Sequence, residues 1–88
     1  MKVLVENIYE GDGVTPKKDK SNILYSEMIG KTYQVAVVVQ GYSATLYDIE
    51  DPYNMLRTSN VQAFNFGAGT FELQTLNTIY RLKLIQAE

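Results

Sequence analysis

The alternation of apolar and polar residues is clearest between Thr70 and Leu84, where the sequence reads TFELQTLNTIYRLKL. A period of two is typical of β-strands with one buried face. A two-residue loop at Leu76-Asn77 predicts a hairpin here, because Asn tolerates the left-handed backbone that short hairpin loops require. The stretch therefore predicts two antiparallel strands.

The register of this hairpin follows from its pattern. Three pairs form a mostly apolar face: Thr75 with Thr78, Leu73 with Tyr80, and Phe71 with Leu82. The opposite face is mostly polar and pairs Gln74 with Ile79, Glu72 with Arg81, and Thr70 with Lys83. A slip of one residue would move the apolar side chains to the charged face, so the pattern specifies one register.

A second hairpin is predicted over Lys31–Asp48, with a two-residue loop at Gln40-Gly41. One face pairs Val39 with Tyr42, Val37 with Ala44, Val35 with Leu46, and Tyr33 with Asp48. The other face pairs Val38 with Ser43, Ala36 with Thr45, and Gln34 with Tyr47. The hydrophobic pattern and the turn residues agree, which supports this hairpin.

A further strand is predicted within Arg57–Phe66, followed by a turn at Ala68-Gly69. The turn sets two pairs, Phe66 with Phe71 and Phe64 with Leu73. The last three strands should then form an antiparallel meander. We expect Phe64 and Phe66 to join its aromatic-rich core face.

The segments before the second hairpin are less regular. Lys2–Tyr9 is rich in β-branched residues and predicts a strand at a sheet edge, where it would permit strand-to-strand dimerisation. Glu10–Lys20 contains Gly, Pro and a run of charges, so we expect a mobile loop without core contacts. Ser21–Ile29 predicts a helical turn, capped by Ser21 and closed by Gly30, although its Ile-Leu-Tyr triplet equally fits a short strand.

An acidic group follows the second hairpin and comprises Asp48, Glu50 and Asp51. Asp51-Pro52 marks either a turn or the start of a helical turn that would end near Leu56. The group lacks the ligand spacing and the Gly of a Ca²⁺-binding loop, so we expect no metal site. Glu50 and Asp51 would point apart on a strand, which argues against an acid–base pair.

These elements predict one mainly β domain over residues 1–88, with about five antiparallel strands and one short helical turn. A small barrel of the SH3-like or OB-like kind is favoured, because a single flat sheet would leave one aromatic face in water. The alternative is an α+β sheet with Ser21–Ile29 packed across it.

Composition excludes several functions. The chain has no His and no Cys, which rules out serine triads, imidazole bases, His-based zinc sites and thiolate chemistry. We therefore expect no enzymatic activity, no catalytic residues and no cofactor. The net charge of −2 disfavours a general nucleic-acid binder. No apolar run is long enough for a transmembrane helix, Glu6 interrupts the apolar stretch at the N-terminus, and the lack of Cys favours a cytoplasmic location.

Two segments of the C-terminal third carry a resemblance: Leu56–Val61 (LRTSNV) and Thr75–Leu82 (TLNTIYRL). They are similar to the C-terminal part of small, mostly uncharacterised β proteins of Gram-positive bacteria and of their phages and plasmids. The resemblance implies a setting on mobile elements, where small proteins often bind and inhibit host machinery, including CRISPR nucleases. The matching residues are those of turns, strands and core, and no catalytic residues carry over.

The first functional hypothesis is a protein-binding module, for example an inhibitor of a host enzyme. The chain has seven Tyr, and Tyr is enriched at interfaces, although strand propensity alone also favours it. The second hypothesis is a small barrel that binds single-stranded nucleic acid through aromatic platforms and a basic groove. The candidate binding residues are Tyr42, Tyr47, Tyr53, Arg57, Lys17, Lys18 and Lys20. The three Lys are equally typical of a solvated loop.

Overall fold

The computed structural model describes residues 1–51 and 53–85, and these form six strands and one helical turn. The strands are β1 (Lys2–Glu10), β2 (Thr32–Val37), β3 (Ser43–Asp48), β4 (Met55–Phe66), β5 (Thr70–Thr75) and β6 (Thr78–Ile85), and α1 spans Tyr25–Met28. Each strand pairs antiparallel with its neighbours in sequence, and β1 pairs with β6 to close the barrel. The predicted mainly β fold, a small antiparallel barrel with a short helical turn, is confirmed. The strands number six rather than about five, and their up-and-down order differs from the Greek-key order of an OB-fold.

The barrel interior is filled by one side-chain cluster from all six strands. Its buried members are Val3, Val5, Ile8, Tyr25, Tyr33, Ala44, Leu46, Val61, Phe71, Leu73, Tyr80 and Leu82. In most strands they alternate with exposed or half-buried residues, as the period of two requires, whereas Thr78, Ile79 and Tyr80 at the start of β6 are all buried. Tyr25 comes from α1, so the helical turn covers part of the interior.

The β5–β6 hairpin has the predicted register. The five observed pairs run from Thr70 with Lys83 to Gln74 with Ile79. The predicted charge pair also forms, with Arg81 Nη2 3.5 Å from Glu72 Oε2. However, no described residue other than Gly has a positive φ, so the loop does not use a left-handed Asn77. Leu76, its neighbour in the loop, would be strained in that conformation.

The β2–β3 hairpin follows the prediction only in the half away from its turn. Tyr33, Gln34 and Val35 pair as expected with Asp48, Tyr47 and Leu46. A bulge after Val35 then places Val37 opposite Thr45 instead of Ala44. A bulge leaves one residue unpaired, so the faces predicted for the rest of the hairpin are wrong.

β1 is not an edge strand, because it has neighbours on both sides. β6 pairs along most of its length, and β2 pairs with Lys2–Leu4. Beyond Leu4, the backbone of Val5 bonds to that of Gly30 and Lys31. Closure of the barrel thus removes the edge on which strand-to-strand dimerisation through β1 depended.

The segment predicted as a mobile loop is packed against β1. Its backbone pairs with the strand, with Glu10 N–H donating to Thr15 O at 2.8 Å and Lys17 N–H donating to Ile8 O at 2.9 Å. Asp12 closes the intervening turn by accepting hydrogen bonds from Val14 and Thr15. The bonds from Thr15 and Val14 lower the pKa of Asp12 to about 2.

Lys17 connects this segment to the barrel. Its side chain is only 4% exposed, and its Nζ lies 3.5 Å from Glu10 Oε1 and 3.1 Å from Asn77 O. The ammonium also lies 5.7 Å from the centre of the Tyr25 ring, within the range of a cation–π contact. The expectation that Glu10–Lys20 makes no core contacts is therefore wrong.

Replacing Lys17 by Ala is expected to lower the free energy of unfolding by about 1–3 kcal/mol, because it removes a charged donor and leaves Asn77 O without it. Urea denaturation would measure this change. Lys18→Ala is the matched control, since Lys18 is exposed, and it should alter stability by less than about 0.5 kcal/mol. Equal stabilities of the two variants would contradict a packed segment.

The two short segments flanking the β2–β3 hairpin differ in outcome. The predicted helical turn is present as α1, but its N-cap residue is Leu24, so the Ser21 cap is wrong. Ser26 of α1 instead donates hydrogen bonds from its N–H and its hydroxyl to the Asp19 carboxylate.

After β3, Asn54 N–H donates to Asp51 O at 2.8 Å, which forms a turn. The alternative helical turn ending near Leu56 is wrong, because β4 already begins at Met55. Pro52 lies outside the described residues.

None of the helical residues described forms a segment long and apolar enough to cross a membrane.

Candidate functional site

β4 is twice as long as β3, with 12 residues against 6. Its first half pairs with β3 and its second half pairs with β5. The contact with the β3 side ends at Val61, whose N–H donates to Tyr42 O and whose carbonyl accepts from Gly41 N–H, both at 2.9 Å. Within the described chain, no strand lies beside the remaining residues, Gln62–Phe66, on this side. We call this side of Gln62–Phe66 the open edge.

The hydrogen-bond alternation of the β4–β5 hairpin determines which backbone groups face the open edge. Gly67 N–H donates to Thr70 O, the first carbonyl of β5, at 2.9 Å, so Gly67 and Thr70 form a hydrogen-bonded pair. Hydrogen-bonded positions alternate in an antiparallel pair, so Ala63 and Asn65 also bond to β5. The N–H and C=O groups of Phe64 and Phe66 must then point away from β5, toward the open edge.

Three phenylalanines lie along this part of the barrel. The rings of Phe66 and Phe71 are stacked, with centroids 4.6 Å apart and an interplanar angle of 3°. Phe64 meets each of them edge-on at 6.2 Å. Phe71 is 1% exposed, whereas Phe64 is 38% and Phe66 is 59% exposed. This phenylalanine cluster (Phe64, Phe66 and Phe71) therefore extends from the core to the surface.

The exposure of Phe64 and Phe66 corrects the sequence prediction. Their pairing with Leu73 and Phe71 is confirmed. Their burial is wrong, because β3 ends before it reaches them and no strand covers their side of β4. The unequal lengths of the two strands are the physical reason, and strand length is poorly specified by alternation alone.

The β2–β3 turn adds further exposed apolar side chains near the start of the open edge. Val37, Val39 and Tyr42 are all exposed, and the turn contacts β4 at Val61, three positions before Phe64. The stretches 37–44 and 59–70 contain no charged residue. Exposed apolar residues grouped in this way mark interaction sites on soluble proteins.

The seven predicted binding residues do not form one surface. Tyr42 lies beside the open edge, as described above. Tyr47 and Arg57 share the outer face of the β3–β4 pair, opposite Met55 and Thr45 respectively. Tyr53 is almost fully exposed in the turn between these strands.

The three lysines lie elsewhere. Lys18 and Lys20 are exposed on the segment that packs along β1, and β1 is three strands from β4 in the six-stranded ring. Lys17 is committed to its contacts with Glu10 and Asn77, so its ammonium is not available to a partner at the surface. The structure thus separates the basic cluster from the exposed aromatic residues of β4.

A cavity of about 400 Å³ lies at the opposite end of β4 from the phenylalanine cluster. Its lining residues are Asn22, Ile23, Leu24, Glu27, Met28, Lys31, Tyr33, Asn54, Met55, Leu56, Arg57 and Tyr80. Burial raises the pKa of both Tyr33 and Tyr80, and Asp48 adds to the effect on Tyr33. Both phenols therefore stay protonated and remain hydrogen-bond donors at neutral pH.

The acidic group provides no cation site in the described part of the chain. No cluster of three or more potential metal ligands occurs there. Asp48 is buried and pairs with Lys31 at 3.8 Å, and its Oδ1 accepts a hydrogen bond from Glu50 N–H. The Asp48 carboxylate thus has partners within the protein.

The described residues form a small antiparallel β-barrel in which the second half of β4 has an unpaired edge on its β3 side. No protein-family profile, curated protein or solved structure matches this chain.

Proposed function

We propose that this chain is a non-enzymatic protein-binding module that holds an extended segment of a partner protein along the open edge of β4. The observation that supports the proposal is the combination of unpaired backbone groups and exposed rings at Phe64 and Phe66. Addition of a strand to an exposed sheet edge is a recurrent mode of peptide recognition.

The backbone would provide affinity without requiring a particular partner sequence. Phe64 and Phe66 together present two N–H donors and two C=O acceptors, which an extended segment matches with its own alternating groups. Each such hydrogen bond contributes about 0.5–1.5 kcal/mol net. An unpaired strand edge is also a liability for aggregation, so a partner that covers it stabilises the protein against self-association.

The side chains would provide selectivity. Phe64 and Phe66 lie on the same side of β4 as the barrel core, so alternate residues of the bound segment would face the phenylalanine cluster. Burying a large apolar side chain contributes about 1.5–3 kcal/mol, which favours segments with apolar residues at alternate positions. The absence of charge from stretches 37–44 and 59–70 favours the same chemistry.

The partner class is suggested by the resemblance of the C-terminal third to small proteins of phages and plasmids. On that basis the partner would be an enzyme of the host, such as a CRISPR nuclease, and the module would inhibit it. The structural support for this proposal is the open edge, along which a segment of the enzyme would bind and be held.

Single-stranded nucleic acid is the weaker alternative. An aromatic platform for bases requires cations alongside it to bind phosphate. The stretch 59–70, which includes the open edge, and the neighbouring stretch 37–44 contain no charged residue. Lys17 is engaged within the protein, and Lys18 and Lys20 lie along β1. Oligonucleotide binding would therefore have to use a different surface from the open edge.

Selection from a library of random peptides tests the proposal directly. We expect bound peptides to have apolar residues at alternate positions and to shift the backbone amide resonances of Phe64 and Phe66. Labelled oligonucleotides should bind weakly at physiological salt.

Two outcomes would contradict strand addition at β4. One is salt-sensitive oligonucleotide binding that is lost in the Lys18→Gln/Lys20→Gln variant, since binding through phosphates falls steeply with salt. The other is a dimer of the free protein with its Phe64 and Phe66 amides protected, which would make a second copy the occupant of the edge.

A further inference from the structure

The cavity at the Met55 end of β4 contains two buried phenols without protein partners. Tyr33 and Tyr80 are 3% and 5% exposed, and both line the cavity. Neither hydroxyl takes part in a side-chain hydrogen bond with another described residue. No buried side-chain polar atom in the described chain is fully enclosed without a partner, so both hydroxyls keep some exposed surface, and both residues line the cavity.

The backbone of β4 contributes to the same wall. Leu46 and Leu56 are a hydrogen-bonded pair, because Asp48 N–H donates to Asn54 O at the next such position. By alternation, the N–H and C=O groups of Met55 and Arg57 point away from β3. This explains how Met55 and Arg57 line the cavity although their side chains share the outer face of the barrel with Tyr47.

Three lining residues have side-chain donors: Tyr33, Tyr80 and Lys31. Lys31 is paired with Asp48, and Glu27 is the acidic residue of the lining. The Arg57 side chain lies on the outer face, so it is not among these donors. The apolar part of the lining comes from Ile23, Leu24, Met28 and Leu56.

From this arrangement we propose that the cavity binds a small organic acid, with its apolar body against Ile23, Met28 and Leu56 and its carboxylate accepting hydrogen bonds from Tyr33 and Tyr80. The volume of about 400 Å³ lies in the range of small-molecule sites, in which a few polar groups orient a ligand within an apolar pocket. The site is separate from the open edge, so this proposal does not depend on strand addition.

Three probes of one shape test the charge preference: 3-phenylpropionate, the neutral 3-phenylpropanamide and the cationic 3-phenylpropylamine. Titrated into labelled wild-type protein and followed by NMR, the carboxylate should shift resonances of the cavity residues saturably. It should bind at least about tenfold more tightly than the amine. Equal binding of the amine and the carboxylate, or no saturable shift at the cavity up to the solubility limit, would overturn the proposal.

Matched tyrosine variants test the two donors. Tyr80→Phe and Tyr33→Phe each retain the ring and remove one hydroxyl, and each should weaken 3-phenylpropionate binding by about tenfold, as expected for a hydrogen bond to a charged group. Tyr42→Phe is the control at the other end of β4 and should leave binding unchanged. Unchanged binding in both cavity variants would overturn the assigned contacts, and the melting temperature of each variant would identify any loss of folding.

Discussion

Replacing Phe71 by Ala is expected to lower the free energy of unfolding by about 3–5 kcal/mol. Phe71 is 1% exposed, pairs with Leu82 across the β5–β6 hairpin and contacts the rings of Phe64 and Phe66. Its removal would leave a cavity at the centre of a small core, and such a loss approaches the whole stability of many domains of this size. Chemical denaturation followed by circular dichroism would measure it.

Phe66→Ala is the matched control for this prediction, because it removes the same side chain from the exposed end of the cluster. It should lower stability by only about 1 kcal/mol, mainly through loss of the stacked contact with Phe71. If the two variants unfolded at the same denaturant concentration, the arrangement of one buried and one exposed ring would be wrong.

The second large effect concerns binding. In the Phe64→Ser/Phe66→Ser variant, affinity for a peptide selected on the wild-type protein should fall by at least about a hundredfold. Aromatic side chains at the centre of an interface commonly contribute about 2 kcal/mol or more each. Since about 1.4 kcal/mol corresponds to a tenfold change in affinity, the loss of two such rings should exceed a hundredfold. Isothermal titration calorimetry would measure the loss, and the variant should remain folded because both rings are partly exposed.

Leu76→Ser is the control for this binding experiment. Leu76 is exposed, but it lies in the β5–β6 loop and not at the open edge. We expect its substitution to leave peptide affinity within a factor of about two, since contacts outside the interface contribute little. Comparable losses in both variants would indicate non-specific adhesion to apolar surface.

The sequence specifies the register of the β5–β6 hairpin because all the relevant information is local. The strands are joined by a two-residue loop, and both faces have a clear polarity, so only one register keeps Phe71 and Leu73 buried. The same reasoning predicted the pairing of Phe64 and Phe66. It failed to predict their exposure, because alternation determines which face a residue is on but not how far the neighbouring strand extends.

Two other features depend on contacts between distant parts of the chain. β1 resembles an edge strand in sequence, yet closure pairs it with β6 at the far end of the chain. Lys17 belongs to a typical solvated charge run, yet its ammonium bonds to a carbonyl 60 residues away. No local pattern encodes either contact, so the sequence pattern predicts Lys17 as a binding residue although its ammonium is engaged within the protein.

Backbone amide hydrogen exchange at β4 tests the open edge most directly. In the free protein, the amides of Ala63 and Asn65 should be protected by β5, whereas those of Phe64 and Phe66 should exchange rapidly. When a selected peptide binds, the Phe64 and Phe66 amides should become protected as well. Protection of these two amides in a free monomer, or their continued rapid exchange in the peptide complex, would contradict strand addition at β4.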